Sequence, residues 1–252
     1  MAASFRSILL FLSLALLPLQ GHAGVLGELS SGRSAAVPVV PSAVPAEVRA
    51  APKPHYLSLD GLDLRAVPAP PAAGSYEDRE DIRAVLDWQA RRTGAQCAAA
   101  RAEMSHDYET FFGRISPFGS PTPPEVKKFF DNVSKDSVAA HTFLKDAYQR
   151  PRPADRDGRI KPCIPNARGL SYPSGHSAMS RLFALILSDL VPSRRAEFMA
   201  KADESALLRV IGGAHHPTDT EAGKALADAL YKELKKEPAF MADMKALKPL
   251  LR

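Results

Sequence analysis

Apolar residues recur at helical spacing over most of the chain after residue 75. Ser75 followed three residues later by Asp78 resembles a capping box, which predicts a helix that begins there and continues toward Ala99. Its buried face is expected to carry Ile82, Val85, Leu86 and Trp88. The helical spacing has two later breaks, at residues 113–124 and 150–173, and alternation at period two is sparse. The pattern therefore predicts an all-α fold built as one helical domain.

The first 23 residues have the pattern of a secretory signal peptide. Arg6 precedes an apolar run over residues 8–19, and small residues at 21–23 form a cleavage site. The same pattern would also serve an uncleaved membrane anchor. No later segment has the roughly 18 uninterrupted apolar residues that a transmembrane helix needs, so we expect an exported, periplasmic or secreted protein without a membrane span after signal removal.

Residues 24–54 are rich in alanine and proline, which predicts an extended arm because each proline interrupts helical hydrogen bonding. The helical domain is expected over residues 55–252. Its first segment, residues 55–64, carries enough apolar side chains to lie against the domain.

Composition and charge narrow the function without naming it. Of 252 residues, 45% are hydrophobic and 24% are charged, which excludes a wholly disordered chain. A net charge of +5 from 33 basic and 28 acidic residues favours small anionic ligands over a nucleic acid partner. The sequence is compatible with a homo-oligomer. Cys97 and Cys163 are too few for a disulfide scaffold, but they could form one bridge or remain two thiols.

A first segment with candidate chemistry runs from Lys145 to Pro153. Arg150 and Arg152 each precede a proline, which favours an extended backbone, so Lys145 would close a helix while the arginines project from a stiff strip. A lysine point charge and an arginine fork are common devices for holding phosphate oxygens. Solvated basic residues in a proline-rich turn are the alternative.

A second segment, residues 172–176, precedes an apolar helix that we expect to begin at about Ser174. The first amide groups of that helix can point at an anion, and Gly175 lets a ligand approach the backbone. His176 lies in the first turn, where the helix dipole disfavours the imidazolium, so an acidic role would need a negative ligand. An N-cap serine with an incidental histidine is the alternative.

A third segment, residues 208–219, combines Arg209, His215 and Asp219. Pro217 suits the first position of a helix, which places Asp219 in its first turn. A carboxylate that binds one imidazole nitrogen leaves the other nitrogen as a nucleophile, although Asp219 could also serve only the helix dipole. Taken together, the three segments supply the cations, nucleophile and acid that phosphoryl transfer through a phosphohistidine would require.

In order and spacing, the three segments resemble the signature of the type 2 phosphatidic acid phosphatase superfamily, which also includes vanadium haloperoxidases. That signature has Lys, six residues and Arg-Pro; then Pro-Ser-Gly-His; then Ser-Arg, five residues, His, three residues and Asp. Here it occupies residues 145–153, 173–176 and 208–219. Over about residues 55–234, the chain looks most like a bacterial class A nonspecific acid phosphatase.

The resemblance implies that His215, oriented by Asp219, attacks phosphorus and that His176 protonates the leaving alcohol. The groups that it implies for binding the phosphoryl oxygens are Lys145, Arg152, Arg209, Ser174 and the amides of Gly175 and His176. It also implies an all-α fold, phosphomonoester substrates, inorganic phosphate as a product, and no metal ion or other cofactor.

Five positions depart from the signature or lie outside it. Leu208 stands where the family has serine, so we expect one hydroxyl contact to be missing without loss of activity. His216, where relatives often have an aromatic residue, is expected to line the substrate entrance or to face solvent. His106 and His141 have no partner pattern and are interpreted as structural, as is His55.

Other functions remain compatible with the same residues. A vanadium haloperoxidase or a lipid phosphate phosphatase would use the same site, and a phosphate-binding protein would use the cations without chemistry. A zinc site is also conceivable, built from His176, His215, His216 and Asp219, although three nearby cations would oppose a metal ion.

Overall fold

The computed structural model describes residues 53–165 and 169–252. The predicted signal peptide, residues 1–23, and the predicted arm up to residue 52 lie outside the described residues. The helices are α1 (Tyr76–Arg91), α2 (Gly94–Ala102), α3 (Tyr108–Phe112), α4 (Pro124–Tyr148), α5 (Pro153–Arg156), α6 (Gly175–Leu190), α7 (Arg195–Ile211), α8 (Pro217–Leu234) and α9 (Pro238–Ala246). Every regular element of the described residues is helical, which confirms the all-α prediction.

The first predicted helix begins where its sequence indicates, but it ends early. Ser75 caps α1 and accepts a hydrogen bond from the amide of Asp78. The prediction of one helix toward Ala99 is wrong, because the chain is extended at Arg92 and a second helix, α2, follows. The cause is a capping box in which the side chain of Thr93 accepts from the Gln96 amide while the Gln96 side chain accepts from Thr93.

Helix α6 lies at the centre of the fold. It packs against α4, α7 and α8, and most of its side chains are buried on every face. Its fully buried residues include Met179, Leu182, Phe183 and Ile186. A helix that is apolar all round must be enclosed by other helices, so the first turn of α6 is held rigidly inside the domain.

Residues 55–64 lie against the helical domain, as their apolar content predicts. Leu57 and Leu64 are buried in the main core. The carboxylate of the buried Asp136 on α4 accepts the backbone amides of His55, Tyr56 and Leu57 at 2.8, 3.0 and 3.0 Å. One carboxylate therefore fixes the start of this segment.

A disulfide joins α2 to the connection between α5 and α6. Cys97 and Cys163 are bonded, and the guanidinium of Arg101 donates to the carbonyl oxygen of Cys163 at 3.2 Å. The C-terminal end of α2 is thereby held beside the three segments that carry the candidate chemistry. Across residues 53–165 and 169–252, none of the helices combines the length and apolarity needed to cross a bilayer.

Candidate active site

The three sequence segments meet around one cavity of about 310 Å³. Each candidate side chain is placed by a helix end: Lys145 by the last turn of α4, His176 by the first turn of α6, and Arg209 by the last turn of α7. Arg152 precedes α5 and His215 precedes α8. The cavity is lined by Met104, His106, His141, Lys145, Arg152, Ile164, Pro165, Gly175, His176, Arg209, Ala214 and His215.

The hydrogen bonds around His215 assign its tautomer. Nε2 lies 3.1 Å from Nη1 of Arg152, and a guanidinium can only donate, so Nε2 carries a lone pair. The proton of the neutral ring is therefore on Nδ1, which lies 3.5 Å from Oδ2 of Asp219. That separation permits an ion pair but is too long for a directed hydrogen bond, and Nδ1 is buried without a hydrogen-bond partner. The accepting nitrogen lies against Arg152, which lines the cavity, and the donating nitrogen lies toward the carboxylate.

Asp219 does not line the cavity but is fully buried behind His215. Its Oδ2 accepts the Ser171 hydroxyl at 2.5 Å, and the backbone amide and Nδ1 of His216 at 2.8 and 2.9 Å. Its Oδ1 accepts from Arg150 at 2.7 Å. Burial alone would raise the pKa of Asp219, but the adjacent ring of His215 and the hydrogen bond from His216 hold that pKa well below its usual range. Asp219 is therefore ionised and held in one orientation.

The C-terminal end of α2 holds two cavity residues. The carbonyl oxygen of Glu103 accepts from Nε2 of His176 at 2.8 Å and from Nη1 of Arg209 at 3.1 Å, and that of Ala100 accepts from Nη2 of Arg209 at 2.6 Å. Because a carbonyl only accepts, Nε2 of His176 carries a proton and Nδ1 is the nitrogen left for chemistry. Nε of Arg209 is buried without a partner.

Two pKa values in the cavity are shifted in ways that matter for anion chemistry. Burial, with the nearby charge of Arg152, lowers the pKa of Lys145 to about 7, while its ammonium donates to the carbonyl oxygens of Leu170 and Pro173 at 2.7 and 2.9 Å. Burial lowers the pKa of His215 to about 3 against the opposing effect of Asp219. At mildly acidic pH the lysine is thus charged and the histidine is neutral.

The pKa of His176 is lowered well below 6.5, first by burial and then by the neighbouring His106 and Arg209. The His106 and His176 rings lie 4.0 Å apart between centroids. His176 is therefore neutral in the unliganded cavity, and a bound dianion would supply the negative charge needed to protonate it.

The first turn of α6 presents its backbone to the cavity. Ser174 is fully buried and does not line the cavity, because its hydroxyl caps α6 by accepting the Ser177 amide at 3.3 Å. Gly175 lines the cavity against the ring of His141, and a Cβ atom there would lie 2.9 to 3.2 Å from three ring atoms. Glycine is required at residue 175 by this close approach.

Two expectations from the sequence need correction. His216 neither lines the entrance nor faces solvent, since it is fully buried and bonded to Asp219 and Arg156. Arg150 does not project toward a phosphate, because it is buried and paired with carboxylates. Leu208, which stands in place of the family serine and has no hydroxyl, packs in an apolar cluster.

Two cavity residues were missed by the sequence reasoning. His141 lies one helical turn before Lys145, and that spacing of four residues puts both on the same face of α4. The spacing could have identified His141. His106 lies between α2 and α3, where no local pattern marks it. Among the described residues, no group of three or more His, Cys, Asp or Glu side chains is arranged to hold a metal ion.

Comparison with known proteins gives consistent matches. The PAP2 superfamily matches residues 136–231, a range that contains all three segments of the site. A non-specific acid phosphatase of Salmonella typhi is 38% identical over 188 residues, which cover 71% of this chain and 75% of that relative. A non-specific acid phosphatase of Providencia stuartii is 27% identical over 221 residues, which cover 80% of this chain and 86% of that relative.

Proposed function

Because this chain belongs to the class A acid phosphatases of the PAP2 superfamily and is a phosphomonoesterase, we propose that it hydrolyses a broad range of phosphate monoesters through a covalent phosphohistidine at His215. One observation carries the proposal: His215, whose Nε2 is unprotonated and lies against Arg152, lines the same cavity as Lys145, Arg152 and Arg209. A nucleophile surrounded by cations suits attack on a phosphoryl group, whose negative charge those cations neutralise.

In the first step, Nε2 of His215 forms a bond to phosphorus while the ester P–O bond breaks, and the leaving oxygen takes a proton from Nδ1 of His176. In the second step, water attacks phosphorus and gives its proton back to His176 while the P–N bond breaks. Inorganic phosphate leaves and His215 regains its lone pair. Asp219 stabilises the positive imidazole ring of the intermediate, as a carboxylate does behind other catalytic histidines.

The phosphoryl oxygens would be held by Lys145, Arg152, Arg209 and the first amides of α6. Ser174 contributes to this binding as the cap that keeps the amides of Gly175 and His176 oriented. The substrate dianion would also raise the pKa of His176, so that the acid is charged only when a substrate is bound.

The acidic working range follows from two groups. His215, with a pKa of about 3, is an unprotonated nucleophile above that pH, and Lys145, with a pKa of about 7, is a cation below that pH. Both conditions hold together between about pH 3 and pH 7. The nucleophile and the phosphate-binding charge are thus available at the pH that gives acid phosphatases their name.

The test of this function is hydrolysis of p-nitrophenyl phosphate at pH 5, without detergent and with a chelator present. We expect turnover that the chelator does not abolish, and an acid-labile phosphoenzyme after rapid quenching. His215→Ala should lose the phosphoenzyme and at least about 10⁴-fold in kcat. The matched control is His55→Ala, because His55 is exposed and bonded through its backbone.

Two results would contradict the proposal. Native turnover in His215→Ala would reject the nucleophile, and loss of activity with the chelator would reject metal-independent chemistry. A panel of nucleotides, sugar phosphates and aryl phosphates would test the breadth of specificity. Export through residues 1–23 is a separate proposal, which is tested by fractionating cells and sequencing the N-terminus of the mature protein.

A further inference from the structure

A closed ring of five side chains lies behind His215. Only Asp219 belongs to the phosphatase signature, and the other four members are Arg150, Asp78, Arg156 and His216. Around the ring, Asp219 accepts from Arg150 at 2.7 Å, and Asp78 accepts from Arg150 at 3.1 Å and from Arg156 at 2.6 Å. Arg156 lies 2.9 Å from Nε2 of His216, whose Nδ1 lies 2.9 Å from Asp219 and closes the ring.

Arg156 assigns the proton on His216. Its guanidinium only donates hydrogen bonds, so Nε2 of His216 must accept. The proton of the neutral ring is then on Nδ1, which donates to Oδ2 of Asp219. Without Arg156, His216 could carry its proton on Nε2 instead, and a lone pair on Nδ1 would face the negative carboxylate oxygen.

His216 and His215 share the same carboxylate oxygen. Oδ2 of Asp219 accepts from His216 at 2.9 Å and lies 3.5 Å from Nδ1 of His215. The short bonds from His216, together with the Ser171 hydroxyl, fix the orientation of the carboxylate. His215 therefore meets an oxygen whose position is set by other donors before any substrate arrives.

We propose that His216 is a positioning residue for phosphoryl transfer: held in its Nδ1–H tautomer by Arg156, it fixes Oδ2 of Asp219 where the imidazole ring of His215 needs it when that ring becomes positively charged. This inference rests on the proposed function of His215. It assigns to Arg156 an indirect role, which is exerted through the tautomer of His216.

Two amide variants at residue 216 distinguish the role of Nδ1 from that of Nε2. The amide nitrogen of asparagine can occupy the place of Nδ1, whereas that of glutamine reaches the place of Nε2. His216→Asn should keep the donor to Asp219 and stay within about threefold of the native kcat. His216→Gln should lose that donor and about tenfold in kcat, since a hydrogen bond to a charged group is lost. KM should change less than twofold in both variants, because the phosphate-binding cations are untouched.

Arg156→Met supplies the second half of the test. In the native background it should lower kcat about fivefold to tenfold, because His216 could then carry its proton on Nε2 and would no longer donate to Asp219. In the His216→Asn background it should have no further effect, because an amide nitrogen carries its protons without help. Arg156 and His216 are in contact, so their effects on stability should couple whatever their role. The tautomer argument predicts in addition that kcat becomes insensitive to Arg156→Met once residue 216 is asparagine.

Folding and function are checked in the same series. Thermal unfolding and phosphoenzyme formation are measured for every variant, with native enzyme and His215→Ala as references. If native enzyme is inactive or His215→Ala is active, the proposed function fails, whatever His216 does. If those references behave as expected but His216→Gln and His216→Asn have equal kcat, or His216→Gln is faster than native enzyme, the positioning role is overturned.

Discussion

The two sides of His215 differ in how completely their polar groups are bonded. On the cavity side, Nε of Arg209 and Nδ1 of His141 are buried without partners, and the pKa of Lys145 is displaced to about 7. On the side of Asp219, guanidinium and carboxylate groups alternate at distances between 2.6 and 3.1 Å. The cavity side collects three cations, Lys145, Arg152 and Arg209, among its lining residues, whereas the Asp219 side is built from paired charges.

This difference suits the cavity side to binding a ligand and the Asp219 side to holding a catalytic carboxylate in place. Cations gathered around a cavity are costly to bury, and a bound phosphate would repay that cost by supplying the missing negative charge. The ring around Asp219 needs no ligand, so it can hold the carboxylate in one place through every step. Removing a charge from the cavity side should therefore affect mainly ligand binding and the catalytic rate. Removing a charge from the Asp219 side should affect mainly stability.

The largest expected effect is from Arg150→Met. Arg150 is buried and bonded to Asp78, Asp81 and Asp219, so its removal leaves carboxylates buried without their counter-charge. We expect the free energy of unfolding to fall by about 3–5 kcal/mol, measured by urea denaturation in phosphate-free buffer at pH 6.

The matched control for this variant is Arg159→Met. Arg159 also pairs with an aspartate, Asp157, but its side chain is 75% exposed. Its loss should leave the free energy of unfolding nearly unchanged, as for other surface pairs. Equal losses from the two variants would contradict the view that the buried ring supports the fold.

The next effect is expected on the cavity side, from Lys145→Met. This variant should lower kcat/KM for p-nitrophenyl phosphate by about 10²–10³-fold, because one cation that stabilises the phosphoryl charge is lost. The free energy of unfolding in phosphate-free buffer at pH 5 should fall by less than about 1 kcal/mol, since relief from burying the charge offsets its two carbonyl bonds.

The stability of Lys145→Met distinguishes the cavity side of His215 from the Asp219 side directly. A loss of stability as large as that of Arg150→Met would mean that Lys145 supports the fold as much as it binds phosphate. Inorganic phosphate should raise the melting temperature of native enzyme more than that of Lys145→Met, because the variant binds the ion more weakly.

Local signals allowed the helix ends at the site to be predicted. The Pro-Ser-Gly-His segment and Pro217 correctly indicated the starts of α6 and α8, and Lys145 lies in the last turn of α4 as expected. These features depend on capping and proline geometry, which act within a few residues. The break at Thr93, which the sequence prediction missed, is also marked by a local signal, the capping box of Thr93 and Gln96.

The partners of buried charges could not be predicted in this way. Arg150 meets Asp78 and Asp81 from 72 and 69 residues away, and Arg156 meets His216 from 60 residues away. Those pairs depend on how α1, α5 and α8 pack together. An arginine before a proline has the same local pattern whether it faces a phosphate or a carboxylate. Only the resemblance to the family signature singled out Arg152, and nothing local showed that Arg150 pairs with carboxylates.

The smallest effect expected is a shift of the pH profile in Lys145→Arg. In native enzyme the ammonium of Lys145 is lost as pH rises through about 7, so kcat/KM should fall there. An arginine stays charged at all working pH values, and the alkaline limb of the variant should move upward by about one pH unit or more. The second ionisation of the substrate, near pH 6, affects both enzymes equally and cancels in the comparison.

The control for this shift is Lys127→Arg, which changes an exposed lysine on the same helix. Its profile should superimpose on that of native enzyme. The acid limb should stay fixed in all three proteins, because burial is the largest cause of the low pKa of His215 and residue 145 carries the same positive charge in each protein at acidic pH. An unmoved alkaline limb in Lys145→Arg would mean that another group sets the loss of activity above neutrality, and the charge imbalance of the cavity would then not define the acidic working range.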